Sequence, residues 1–245
     1  MSVLAKTAQA IDSLARAGRP LRLAEVAEDL GLPKSSVHRL LTELTELRIA
    51  RRTPEGLFAL GPRLLSWGAS AADSFVIRGV AEPWMHRLRD STGESVHLYI
   101  RHGSNRVCLA SVEGRAALRP VVPTGGLQPL AMGSSGKLLL AFAPSVVLEE
   151  VRAEAKKSRM PVPEDEELAT IRETHWSVSI DEREKGLSGA ATSIRDAQGE
   201  VVAALSISGS STRLTLQRYS EVKDEVFGIA NEIGAAVAGR AERLA

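Results

Sequence analysis

The chain has 245 residues, 44% of them hydrophobic and 25% charged, which is an ordinary soluble composition with room for two domains. Its net charge of +1 does not by itself suggest a nucleic-acid partner, and no run of about 18 apolar residues offers a membrane span. One cysteine, Cys108, excludes an intramolecular disulfide, and the opening MSVLAKTAQA lacks the apolar stretch of a signal peptide, so a cytoplasmic location is expected.

The charge is uneven. Residues 1–63 carry 10 Lys and Arg against 7 Asp and Glu, while the remainder carries 21 against 23. A modest local excess suits a sequence-specific reader of DNA better than a coating protein.

Residues 4–17 are predicted as a helix with Leu4, Ala8, Ile11, Leu14 and Ala15 on one side, stopped by Gly18-Arg19-Pro20. Lys6 and Thr7 read as solvated surface. Arg22 falls where an N-cap belongs, with Glu25 three residues on; Arg in place of Ser or Thr forgoes about 1 kcal/mol.

Residues 23–46 read as a helix-turn-helix. Leu23, Val26, Ala27 and Leu30 make one helical face, Gly31 breaks it, and Pro33 stands at a first helical position. The second helix turns Val37, Leu40, Leu41, Leu44 and Leu47 inward. Its opposite front holds Ser35, His38, Arg39 and Thr42. A helix entering the major groove needs that division, because its leading residues meet base edges and phosphates. An αα-hairpin with a solvated outer face would look the same. The next residues favour DNA: Thr53-Pro54-Glu55-Gly56 is a turn signal between two short β-compatible runs, and Arg51-Arg52 lies on the first. A hairpin directly after a helix-turn-helix makes a winged helix. Ser35, Ser36, His38 and Arg39 are therefore expected in the groove, with Lys34, Arg51 and Arg52 on phosphates.

Arg63 to about Arg78 is predicted as a connecting helix, and residues 80–90 as another in which Pro83 marks a start or a kink. From Ser95 the pattern alternates. Residues 95–112 read as a hairpin, 116–122 as a third strand with Pro120 favouring an edge, and 134–142 as an apolar helix. Helices over 145–157 and 164–174 follow, then strands at 176–180, 189–195 and 201–208, and a closing helix over 214–243. Cys108 reads as a small core residue. Antiparallel strands with helices on one or both faces make an α+β domain.

The order of parts, and the segments GLPKSSVHRLL at 31–41, FALGPRLL at 58–65, TGESVHL at 92–98, MGSSGKLLLAF at 132–142, EKGLSGAA at 184–191 and GEVVAALSISG at 199–209, resemble the IclR family of bacterial transcriptional regulators. LYIRHGSNRVCLA and SVSIDEREKG are most similar to an actinomycete, NdgR-like branch tied to amino-acid biosynthesis genes. The resemblance implies a winged helix-turn-helix domain over 1–62, a linker helix over 63–79, and a GAF-like α/β effector domain over 80–245. It also implies a homodimer or homotetramer on palindromic, double-stranded promoter DNA, acting as a repressor that answers to a small molecule. Two winged domains must meet half-sites ~34 Å apart, more than one copy can read.

Family effector pockets, matched onto this chain, are lined from three places: the helix opening at Ser134, Ser135 and Gly136, the strands around Ser179 and Gly189, and the pair Ser206 and Ser208. The last two share a strand face because they are two residues apart. Free amides at a helix start favour an anion, so a carboxylate or amino-acid-related metabolite is expected. Carboxylate binders of the family have Asp where this chain has Ser179 and Cys where it has Gly189, so its effector should differ from theirs.

Enzyme readings lack a constellation. Gly133-Ser134-Ser135-Gly136-Lys137 is no P-loop, because Ala131 and Leu138 stand where Gly and Ser or Thr are required. It has no nucleophile-elbow spacing either. His97 and His102 do not converge on a metal, and no cofactor is expected. The competing reading keeps the fold and drops the ligand: a constitutive DNA-binding oligomer.

Overall fold

The computed structural model describes residues 2–241, which divide between Ser74 and Phe75 into two units.

The first unit holds α1 (Val3–Ala17), α2 (Leu23–Leu30), α3 (Lys34–Glu46), β1 (Ala50–Arg52), β2 (Phe58–Leu60) and α4 (Arg63–Ser74). Ser2 caps α1, its hydroxyl accepting from the Ala5 N–H at 3.2 Å. The buried face of α1 is Ala10, Ser13 and Leu14. The predicted face is only partly right, since Leu4, Ala8 and Ala15 are exposed. Alanine at positions 5, 8, 10, 15 and 17 makes this helix apolar around most of its girth, so periodicity does not single out a side. At α2 the Arg22 side chain makes no capping bond, but the Glu25 carboxylate accepts from the Arg22 N–H at 2.7 Å. Gly31 takes a left-handed φ of 62° and lets the chain reverse. Pro33 is the residue before α3 rather than its first member.

Val26, Val37, Leu41, Leu44 and Phe58 join the core of this unit. The β1–β2 hairpin pairs Arg51 with Ala59 and turns at Thr53–Gly56, where Gly56 N–H donates to Thr53 O at 2.9 Å. Leu21 and Phe58 exchange two backbone hydrogen bonds of 2.8 Å, which tie the hairpin to the α1–α2 connection. The predicted single helix over 63–78 is interrupted: Phe75 is extended at φ −84° and ψ 95°, and a new helix begins at Val76.

The second unit runs α5 (Val76–Thr92), β3 (Ser95–His102), β4 (Asn105–Val112), β5 (Leu127–Pro129), α6 (Ser134–Ala141), α7 (Ser145–Ser158), α8 (Asp165–Thr174), β6 (Trp176–Ile180), β7 (Leu187–Arg195), β8 (Val201–Ser210) and α9 (Leu216–Ala241). Its six strands form one antiparallel sheet in the order β5-β4-β3-β8-β7-β6. Met85, Leu88, Leu98, Leu205, Ile207, Val226 and Ile233 pack one face under α5 and α9. Tyr99, Cys108, Leu138, Val151, Leu168 and Ala204 pack the other under α6, α7 and α8. Helices on both faces match the expected α+β architecture.

The predicted strand over 116–122 does not form. Pro120 and Pro123 have no N–H to give a ladder. Side chains hold this segment instead: Arg213 Nη2 donates to Leu118 O at 3.0 Å, and Ser95 Oγ to Pro120 O at 3.2 Å. The place beside β4 goes to β5. Glu94, buried at the start of the sheet, takes both arms of Arg213 at 2.7 and 2.8 Å. A Cβ on Gly209 would overlap that carboxylate, so the GEVVAALSISG segment must end in glycine. The predicted closing helix begins two residues late, at Leu216, and its predicted end at 242–243 lies outside the described residues. Among the described residues, no helix is long and apolar enough to cross a membrane.

Candidate functional site

In the first unit the front of α3 is open. Lys34, Ser35, Ser36, His38 and Arg39 are all exposed, while Val37, Leu41 and Leu44 on the back are buried. Among the described residues, no ion pair involves Lys34, Arg39 or Arg51. Two ion pairs of this unit, Arg16–Asp29 at 2.7 Å and Arg19–Glu25 at 2.7 Å, involve α1, α2 and the loop between them. No acidic residue lies in the first turn of α3, so its leading end presents positive charge and unfilled N–H groups. Thr42 is less available, because its hydroxyl donates back to His38 O at 2.8 Å.

Arg51 and Arg52 are both exposed, but consecutive strand residues face opposite ways. Arg52 braces the hairpin: its Nε donates to Gly56 O at 3.3 Å and its guanidinium lies 5.7 Å from the Phe58 ring centre. Arg51 is the uncommitted cation of the two.

In the second unit, strand pairing lines up two rows of small polar residues under α6. Ser179 pairs with Gly189, Gly189 with Ser208, and Ser208 with Ser95. Beside them Ala191 pairs with Ser206, Ser206 with His97, and His97 with Ser111. Ser134 and Ser135, at the start of α6, cover these rows. The cavity between is small, about 50 Å³, room for a few water-sized groups. Six of the seven predicted effector residues line it: Ser134, Ser135, Ser179, Gly189, Ser206 and Ser208. A Cβ on Gly189 would come within 3.3 Å of Ser134 Oγ, so glycine there leaves that hydroxyl its place. Gly136 does not line the cavity. It stands against Arg106, whose guanidinium uses the space a side chain would fill.

Sequence reasoning missed His97, Tyr99, Arg106 and Arg183, which line the same cavity. His97 is buried between two serines, Nδ1 at 3.1 Å from Ser111 Oγ and Nε2 at 2.9 Å from Ser208 Oγ. Burial, with the charges of Arg183 and Arg106, pushes its pKa down to about 4, so the ring is neutral at pH 7. Burial pushes the Tyr99 hydroxyl up to about 12 and keeps its proton in place. Arg106 is 2% exposed. Its Nη1 donates to Pro129 O at 2.6 Å and Met132 O at 2.7 Å, and its Nη2 to Gln128 Oε1 at 2.8 Å. These acceptors carry no net charge, and among the described residues Nε has no partner. Burial draws its pKa to about 10, so it remains a cation. The available signal was position: Arg106 shares a strand face with buried Cys108, two residues on.

Lys137, in the segment that imitates a P-loop, points elsewhere. It is buried, and its Nζ donates to Glu167 at 2.6 Å, Glu182 at 2.5 Å and Val178 O at 2.9 Å. Among the described residues, no group of three or more His, Cys, Asp or Glu side chains is placed to hold a metal ion.

The IclR helix-turn-helix model matches residues 3–54, and the model for the C-terminal domain of the bacterial transcriptional regulator IclR matches 69–235. The HTH-type transcriptional repressor AllR of Salmonella typhimurium is 30% identical over 232 residues, 91% of this chain and 85% of that protein. The IclR structure from Thermotoga maritima superposes with a TM-score of 0.65 at 26% identity, covering 96% of this chain and 98% of that one. An IclR homologue from Microbacterium hydrocarbonoxydans, crystallised with 4-hydroxybenzoate, superposes at 0.74 over 96% of this chain and 100% of that one. At 23% identity that likeness shows the fold alone. Two family models spanning most of the chain, and a relative matched along nearly all of it, lead to one statement: the chain belongs to the IclR family of bacterial transcriptional regulators.

Proposed function

We propose that the protein is a cytoplasmic, ligand-responsive repressor that binds palindromic promoter DNA as a dimer or tetramer. Ser35, Ser36, His38 and Arg39 read base edges in the major groove, and Lys34, Arg51 and Arg52 hold phosphates. The observation that carries this reading is the exposed cationic front of α3, which makes no ion pair among the described residues, above an apolar back. The assignment as a repressor follows the naming of its relative AllR.

The effector is a small carboxylate bound in the cavity beneath α6. Arg106 supports this choice: it is a buried cation with no carboxylate partner and an unused Nε–H. Such a group gains most from an anion that replaces its lost water. The ligand acts by binding DNA-competent and incompetent arrangements of the oligomer with different affinity.

Footprinting on the intergenic DNA beside the protein's own gene tests the first half; a protected inverted repeat is expected. Thermal unfolding against a panel of small organic acids tests the second. A specific acid at a hundredfold excess over its dissociation constant should add about 2.7 kcal/mol of stability. A footprint that no acid alters would favour the constitutive oligomer.

A further inference from the structure

The cavity contains a second cation that the carboxylate reading leaves unused. We propose that the effector is a dianion, a short dicarboxylate, held between Arg106 on the floor of the cavity and Arg183 at its mouth. This rests on the cavity being the effector site.

Arg183 lies in the 181–186 segment between β6 and β7 and lines the cavity from the outside. It is exposed, and no ion pair involves it among the described residues. No acidic residue lines the cavity. Of the two carboxylates beside it in sequence, Glu182 is engaged by Lys137 Nζ at 2.5 Å and by the Gly133 N–H at 3.3 Å, and Glu184 does not line this cavity. The charge of Arg183 adds to burial in lowering the proton affinity of Arg106. Beyond Arg183 the space continues into an outer chamber of about 290 Å³, which shares Pro120, Arg183 and Leu187 with the inner one and adds the charged groups Arg119, Glu184 and Lys185. A ligand anchored at Arg106 can therefore extend outward past Arg183.

A singly charged acid would pair one guanidinium and leave the other uncompensated. A dianion pairs both, and each charge-assisted contact strengthens as water leaves the cavity. An amino acid fares worse, since its ammonium would enter an inner cavity lined by two cations and no carboxylate. The hydroxyls of Ser134, Ser135 and Ser206, which line the cavity, are placed to hydrogen-bond the carbon chain's substituents.

Calorimetric titration of the full chain with malonate, succinate and glutarate, set against propionate and butyrate, tests this. The best dicarboxylate should bind about tenfold or more tighter than the monocarboxylate of equal length. Arg183→Gln should erase that advantage and leave monocarboxylate affinity within about twofold. Arg183 is exposed, so this variant should unfold at the wild-type temperature without ligand, which scanning calorimetry checks. Equal affinity for both classes, or an equal loss of both in Arg183→Gln, overturns the dianion and leaves the carboxylate site standing. If neither class binds, or if binding survives Arg106→Gln, both readings fall.

Discussion

The Arg106 guanidinium occupies the space that a side chain at position 136 would need. A Cβ built on Gly136 would overlap Arg106 Nη1 and lie 2.8 Å from Leu130 O. Glycine in the first turn of α6 is therefore a window. Through it a cation from β4 reaches the carbonyls of Pro129 and Met132, on the chain that leads into α6.

Gly136→Ala should displace Arg106 and cost about 1–3 kcal/mol through overpacking. It should also remove the stabilisation given by whichever acid binds the wild type. Gly228 is the contrast: it lies inside α9 with nothing within 4 Å of its added Cβ. Gly228→Ala should gain about 0.5–1 kcal/mol from helix propensity. Denaturant unfolding of both variants checks the pair; equal effects would remove the window argument.

At the DNA face, Arg39→Ala should cost about 1–3 kcal/mol of operator affinity and relax base preference at one position. Arg51→Ala should weaken all sequences alike and lower the salt slope by about one. Fluorescence anisotropy titrations at several salt concentrations separate the two. A shift in base preference on losing Arg51 would contradict its assignment to phosphate.

His97 makes the second unit acid-sensitive. Its folded pKa, about 4, lies below the ordinary 6.5, so the unfolded chain binds the extra proton first. Stability from this group is complete above about 6.5 and falls as the pH drops toward 4, by up to roughly 3 kcal/mol. His97→Gln keeps hydrogen-bonding capacity without the titration and should flatten that slope. Guanidinium unfolding at pH 7 and 4.5 gives the comparison, and parallel curves for both proteins would rule His97 out.

Arg213→Ala should leave the Glu94 carboxylate, 7% exposed, without its partner. The expected loss is about 2 to 3 kcal/mol, short of a fully buried pair because Arg213 is itself 37% exposed. Urea unfolding measures it, and a change under about 0.5 kcal/mol would mean that water reaches Glu94 freely.

The helix-turn-helix was legible from residues alone. The apolar spacing of α2 and α3, the left-handed Gly31 and the turn at Thr53–Gly56 are local, and local periodicity states which side chains share a face. The serines of the cavity under α6 came from three distant segments through a family resemblance, and only Ser206 and Ser208 follow from spacing. What the chain order does not contain is which face meets which neighbour. Ala-rich α1 turned inward a face that only partly matches the predicted one, and the proline-bearing 116–122 segment gave up the sheet edge to Leu127–Pro129. His97 became part of the site because β3 pairs with β8, more than a hundred residues away, which sets it opposite Ser206 and within reach of Ser208. Arg106 is a candidate anion site because tertiary packing buried it with neutral acceptors, which no local pattern announces. Secondary structure is written in neighbours along the chain; a charge's worth depends on neighbours in space.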